Sequence, residues 1–150
     1  MTDRINIGKA CPNMYQQAVM MEKELEKLLQ EAGIDIGFSH LLRLRASQIN
    51  GCAFCIRLHA RDAEKERVDF DKISIISAWR DTHYFNEKER ASIALLEEIT
   101  LISTKQVPDN VYDEAAKYLS EKELSAIQWL SVVINLWNRI AISSRYVVKS

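Results

Sequence analysis

Apolar residues along this chain recur three and four positions apart, and almost nowhere on every second position, a spacing that predicts helices rather than strands. Met21, Leu25, Leu28 and Leu29 form one such stripe after Pro12. It predicts a first helix over residues 14 to about 31, ending near Gly33. A second helix is expected over about 39 to 49, where Asn50-Gly51 breaks it, because both residues tolerate the backbone angles that end a helix. A third starts at about residue 51 or 52 and runs into "RDAEKER". A short apolar helix is expected over about 71 to 79, followed by the connector "DTHYFNEKE". Asn86 with Glu89 then reads as a capping box opening a long helix to about residue 103. Pro108 and Asp109 open another, to about 119. Ser120 with Glu123 forms a second capping box for a final helix over 121 to about 145, which contains "VVINLWNRIAI". With four Gly, two Pro and no internal repeat or long linker, the expectation is an all-α fold in one domain covering 1–150.

Composition narrows what such a bundle does. The chain has 150 residues, 47% hydrophobic and 27% charged, which suits a globular protein able to bury a core without disulfide staples. A net charge of -1 gives no basic footprint for nucleic acid. The one dense charge run, "RDAEKER", mixes signs and reads as a solvated helix face. No stretch approaches the ~18 apolar residues of a membrane span. The N-terminal "MTDRINIGKACPNM" lacks the apolar centre of a secretory signal. The expectation is therefore a cytoplasmic protein without membrane or nucleic-acid partners. Thiols rest reduced there, so a close cysteine pair is more often catalytic or metal-binding than structural. Of Cys11, Cys52 and Cys55, the last two make the pair and Cys11 is spare.

The pair lies in "NGCAFCIRLHARDA". If a helix starts near Gly51, Cys52, Cys55 and His59 stand at i, i+3 and i+7 and share one stripe, flanked by Ile56 and Ala63. Arg57, Arg61 and Glu64 fall on the opposite, wet side. His59 is then placed to reach the Cys55 sulfur directly or through one water. The geometry suits thiol chemistry. The thiolate is the reactive species, and a first-turn cysteine has its pKa lowered by the helix dipole. His59 takes the proton from Cys55 as a general base. Cys52 sits close enough to condense with an oxidised Cys55 into a disulfide. Two rival readings stay open at this level. The three residues can be small core side chains, or three zinc ligands with Cys11, His40 or His83 as the fourth. Haem attachment needs a histidine directly after the second cysteine, where Ile56 stands, and a thioredoxin-type site needs a βαβ context.

"LRASQINGCAFCIRLHARDA" resembles the signature of AhpD-like alkylhydroperoxidases in the carboxymuconolactone decarboxylase family. "WRDTHYFNEKERASIALLEEIT" and "VPDNVYDEAAKYLSEKELSAIQWLSVVINLWNRIAI" are similar to the segments that follow, so the likeness covers about residues 35 to 145. It implies an AhpD-like helical fold assembled as a homotrimer or homohexamer. It implies an enzyme that reduces organic hydroperoxides, or exchanges disulfides, with a dithiol reductant protein as partner and no metal or organic cofactor. Cys55 would attack the peroxide, Cys52 resolve it, and His59 relay the proton. Decarboxylases of the family are similar in fold but lack the cysteine pair. The alternative of another class is a non-catalytic redox-sensing or zinc-binding assembly. One position departs: twelve residues before Cys52, where the family usually has a glutamate that orients the histidine, this chain has His40. A neutral His40 accepts a hydrogen bond but brings no fixed negative charge, unless another acid such as Asp62 or one from a neighbouring subunit serves.

Trp79, Trp129 and Trp137 lie in apolar helical runs and are expected in the core or at subunit contacts. Arg139 is expected to pair with a buried acid or to lie at a subunit contact. His83 reads as a surface residue, and Ser47 and Gln48 as caps or braces of the active-site turn.

Overall fold

Helix α3 (Ile36–Asn50) buries side chains around most of its circumference, and the fold is arranged about it. The computed structural model describes residues 2–150. Before α3 come a four-residue turn of helix, α1 (Ile7–Ala10), and the long α2 (Pro12–Glu31). After it come α4 (Ala53–Lys65), α5 (Phe70–Ile75), a 3₁₀ segment (Ile76–Asp81) and α6 (Glu87–Thr100). The chain finishes with α7 (Ile102–Lys105), α8 (Asp109–Tyr118) and α9 (Glu121–Ser143). The described residues contain helices and turns and no strand.

The core joins Leu41, Leu42 and Leu44 of α3 to Ile93, Leu95 and Leu96 of α6 and Ile127, Leu130 and Ile134 of α9, all at most 1% exposed. Each such side chain stabilises the fold by roughly 1.5–3 kcal/mol relative to exposure. Helix α3 packs on α4, α6 and α9, which explains why its sequence is weakly amphipathic: a central helix has several neighbours to satisfy. The two arginines it brings inside are both paired. Arg43, 5% exposed, donates to Glu22 of α2 at 2.8 Å, and Arg45 donates to Glu97 of α6 at 2.7 Å.

Local signals set most boundaries. Both expected capping boxes form, Asn86 with Glu89 and Ser120 with Glu123. Gly51 alone, not Asn50, takes the left-handed conformation, with φ 71°, and Asn50 is the last residue of α3. Two expectations need correction. The expected helix over 71 to 79 is two pieces, because Ile75 leaves helical geometry (φ -104°, ψ 2°) where α5 gives way to the 3₁₀ segment, and Ala78 (φ -115°, ψ 26°) kinks that segment again. The helix expected to run to 103 stops at Thr100, and α7 restarts after Leu101. Of the two alternatives expected for the tryptophans, Trp79, 4% exposed, takes the core, while Trp129, 50% exposed, lies outside it. Arg139 pairs with no acid among the described residues; it donates to the backbone and side-chain oxygens of Asn135. Among the described residues no helix is long and apolar enough to cross a membrane.

Candidate active site

The turn that carries the cysteines is built from both sides. Gly51 ends α3, its amide bonding back to the Gln48 carbonyl, and the amide of Cys52 bonds to the Ser47 carbonyl. Cys52 is the N-cap of α4: its Sγ accepts from the backbone N–H of Cys55 at 3.3 Å. Cys55 is thus the third residue of α4, within the first turn, where unpaired N–H groups favour negative charge on sulfur. The two sulfurs are bonded to each other, with Cα atoms 5.3 Å apart, inside the range natural disulfides use. Cys52 is 2% and Cys55 4% exposed, packed on Ala141 near the end of α9 and on Phe54 and Tyr146. Cys11 is free and exposed and His83 is exposed, and among the described residues neither gathers with the pair into a group of three or more ligand atoms.

Beneath the turn lies a polar brace joining α3 and α9. Asn138, fully buried, donates to the Ser47 hydroxyl at 3.0 Å and accepts from Asn50 Nδ2 at 2.8 Å. Ser47 donates onward to the Arg43 carbonyl, and Asn135 accepts from Asn50 at 3.0 Å. Ser47 is therefore a brace of the turn. Asn138 was not legible as one: only its fold partner shows that a polar residue on an apolar helix meets the end of α3.

The shared stripe divides between two neighbours. The cysteines face α9, while His59, one turn on, faces α3 and meets His40: their Nδ1 atoms are 3.3 Å apart and the rings stack at 28°. No hydrogen bond joins His59 to either sulfur among the described residues, so of the two expected routes to Cys55, direct or through one water, the direct one is absent here. Burial lowers the pKa of His59 to about 3, helped by the nearby positive charge of Arg43 and by His40. Burial and Arg43 also lower that of His40, against the pull of Asp62, Glu66 and Glu22. Both shifts favour the neutral rings. Asp62, one turn beyond His59, brings a carboxylate to the pair, and donor atoms of His40, His59 and Asp62 all lie within 4.8 Å of one another. Arg57 was expected to face water; it donates to the Lys149 carbonyl at 2.7 Å and ties the C-terminal segment over α4.

Comparison with known proteins agrees with this architecture. The model of the carboxymuconolactone decarboxylase family matches residues 18–98. The uncharacterised protein YdfG of Bacillus subtilis is 33% identical over 143 residues, 95% of each chain. A crystal structure of ATU0492 from Agrobacterium tumefaciens, a protein of unknown function described as a candidate AhpD antioxidant defence protein, is 32% identical, with a TM-score of 0.90 over 99% of both chains. The debrominase Bmp8 in complex with 2,3,4-tribromopyrrole has a TM-score of 0.79 at 18% identity, over 96% of this chain and 74% of Bmp8, a likeness of fold.

Proposed function

We infer, from the premise that this chain belongs to the carboxymuconolactone decarboxylase family as an AhpD-like member, that it is a thiol peroxidase acting on organic hydroperoxides through Cys55 and Cys52. One observation carries the reading: two buried sulfurs meet at the first turn of a helix, near enough to bond, with a histidine one turn along the same helix. The Cys55 thiolate attacks the outer peroxide oxygen. The O–O bond breaks, the sulfur becomes a sulfenic acid, and the alkoxide leaves as alcohol with a proton passed by His59. Cys52 attacks that sulfenic sulfur, forming the disulfide and releasing water. A protein dithiol then exchanges with the disulfide and returns both thiols. Because no direct bond links His59 to sulfur, a water serves as the bridge, and His40 and Asp62 hold the far side of the ring.

A homotrimer or homohexamer in the cytoplasm is part of the same reading. Half-exposed Trp129, with Met20, Met21 and Leu28, lines an apolar groove of about 490 Å³ between α2 and α9, which supports a second copy of the chain as its cover. The similarity to Bmp8 concerns fold and gives no reason to expect a halogenated substrate.

The test is hydroperoxide consumption driven by a generic dithiol. Cys55→Ser is expected to abolish turnover, and pre-reduced Cys52→Ser, freed of dithiol, to reduce one equivalent of peroxide per chain and stop at the sulfenic acid. Undiminished consumption by Cys55→Ser would remove the proposal.

A further inference from the structure

The contact between His40 and His59 uses only part of what these groups can bind. A neutral imidazole has one N–H and one lone pair. At 3.3 Å, one Nδ1 donates its proton to the other. Yet two nitrogens ~2.0–2.1 Å from one tetrahedral zinc ion also stand about 3.3 Å apart. Asp62 supplies the third donor, with every pair among the three within 4.8 Å. Its carboxylate is engaged by Lys65 at 3.1 Å, an exposed surface pair of little worth, so it is free to swing inward. His59 and Asp62 stand at i and i+3 on α4, with His40 facing them from the rigid α3.

The surroundings tolerate a cation. Arg43 is the nearby positive charge, and Glu22 neutralises it at 2.8 Å. On His40 the carboxylates of Asp62, Glu66 and Glu22 oppose the larger influence of Arg43.

We propose that His40, His59 and Asp62 form a binding site for one divalent transition-metal ion of the zinc type, with two imidazole nitrogens and one carboxylate oxygen as ligands and water in the fourth position. Imidazole donors select this class over magnesium or calcium. Neither cysteine takes part, so the site is separate from any thiolate zinc site and stands whether or not the peroxidase reading holds. On binding, the Nδ1 proton between the rings moves to Nε2 of its own ring. Both histidines become Nε2-H tautomers, and no net proton is lost.

The test uses the full chain carrying Cys11→Ser, with Cys52 and Cys55 kept oxidised so that no sulfur can ligate. Calorimetric titration with Zn²⁺ should show one ion per chain. Affinity should fall at least tenfold in His40→Ala and in Asp62→Asn, and stay unchanged in His83→Ala. Helix content by circular dichroism checks that each variant is folded, and Asp62→Asn, at a part-exposed position, carries the comparison if His40→Ala unfolds. In the parent, long-range ¹H–¹⁵N spectra should show both rings shifting to the Nε2-H tautomer as Zn²⁺ is added. Absence of saturable binding, or affinity that Asp62→Asn and His40→Ala both leave intact, would overturn the proposal.

Discussion

His40 stands against the ring of His59 where a carboxylate would give that ring a fixed negative neighbour. In its place are a neutral imidazole and, farther along α4, Asp62. His40→Glu is therefore expected to raise peroxide consumption near neutral pH by a few-fold to roughly tenfold, a part of the ~10²–10⁴ a positioned base contributes. Initial rates across pH check this; an unchanged or lower rate counts against the role given to His59. Asn138 is a second residue whose worth lies in what it touches. Asn138→Ala leaves the Ser47 hydroxyl without its buried donor and Asn50 with one acceptor fewer. The expected cost is ~1–3 kcal/mol, read as a lower melting temperature by calorimetry. Cys52, Cys55 and His59 were legible from their spacing alone. The His40 contact became expected only through the resemblance, because nineteen positions of chain separate the two rings.

Among the elements, the junction of α3 and α4 decides whether the cysteines reach the right turn. Gly51 has φ 71°, and a Cβ built there meets nothing within 4 Å, so substitution brings backbone strain without a clash. Gly51→Ala is expected to cost about 1–2 kcal/mol, a fall of roughly 2–8 °C in melting temperature for a chain this size. Gly37 differs: an added Cβ would lie 2.5 Å from the Val68 side chain, so there the loss would come from packing of α3 against the segment after α4. Caps and glycines announce themselves in sequence because their signals span three or four residues. The break at Ile75 did not, since apolar periodicity persists into the 3₁₀ segment, whose Trp79 is held by its bond to Glu97 of α6.

Across the whole molecule, one acid links three segments. Glu97 of α6 accepts from Arg45 of α3 at 2.7 Å and from Trp79 and Arg80 of the 3₁₀ segment at 2.9 and 2.7 Å. Burial pushes its pKa up, but these three donors outweigh burial and hold it below the usual glutamate value of 4.5. A carboxylate with a depressed folded pKa adds stability above its unfolded pKa and loses it as pH falls through the folded one. The parent should therefore lose stability on acidification below about pH 4.5. Glu97→Gln should be less stable at pH ~7 by about 1.5–3 kcal/mol, and the gap should narrow as pH falls, as followed by denaturant unfolding. A gap constant with pH would show that the charge adds nothing. At the same scale, the proposed homo-oligomer predicts that Trp129→Glu on the α2–α9 groove lowers the mass seen by light scattering toward monomer, and an unchanged mass counts against that face as the interface.

The chain by itself determined a helical protein, because a 3.6-residue period, two capping boxes and few breakers leave no other way to bury its apolar stripes. It also determined a cysteine pair at the start of a helix with a histidine one turn on, because the cap and the first turns of a single helix have local geometry. The tertiary structure alone decided which neighbour each of them faces. The sulfurs pack toward α9 and His59 toward α3, because α4 lies across both and each side chain takes the partner on its own side. The brace of Asn138 and Ser47, 91 positions apart, was beyond any local signal, since only the packing of α9 on α3 brings the two together.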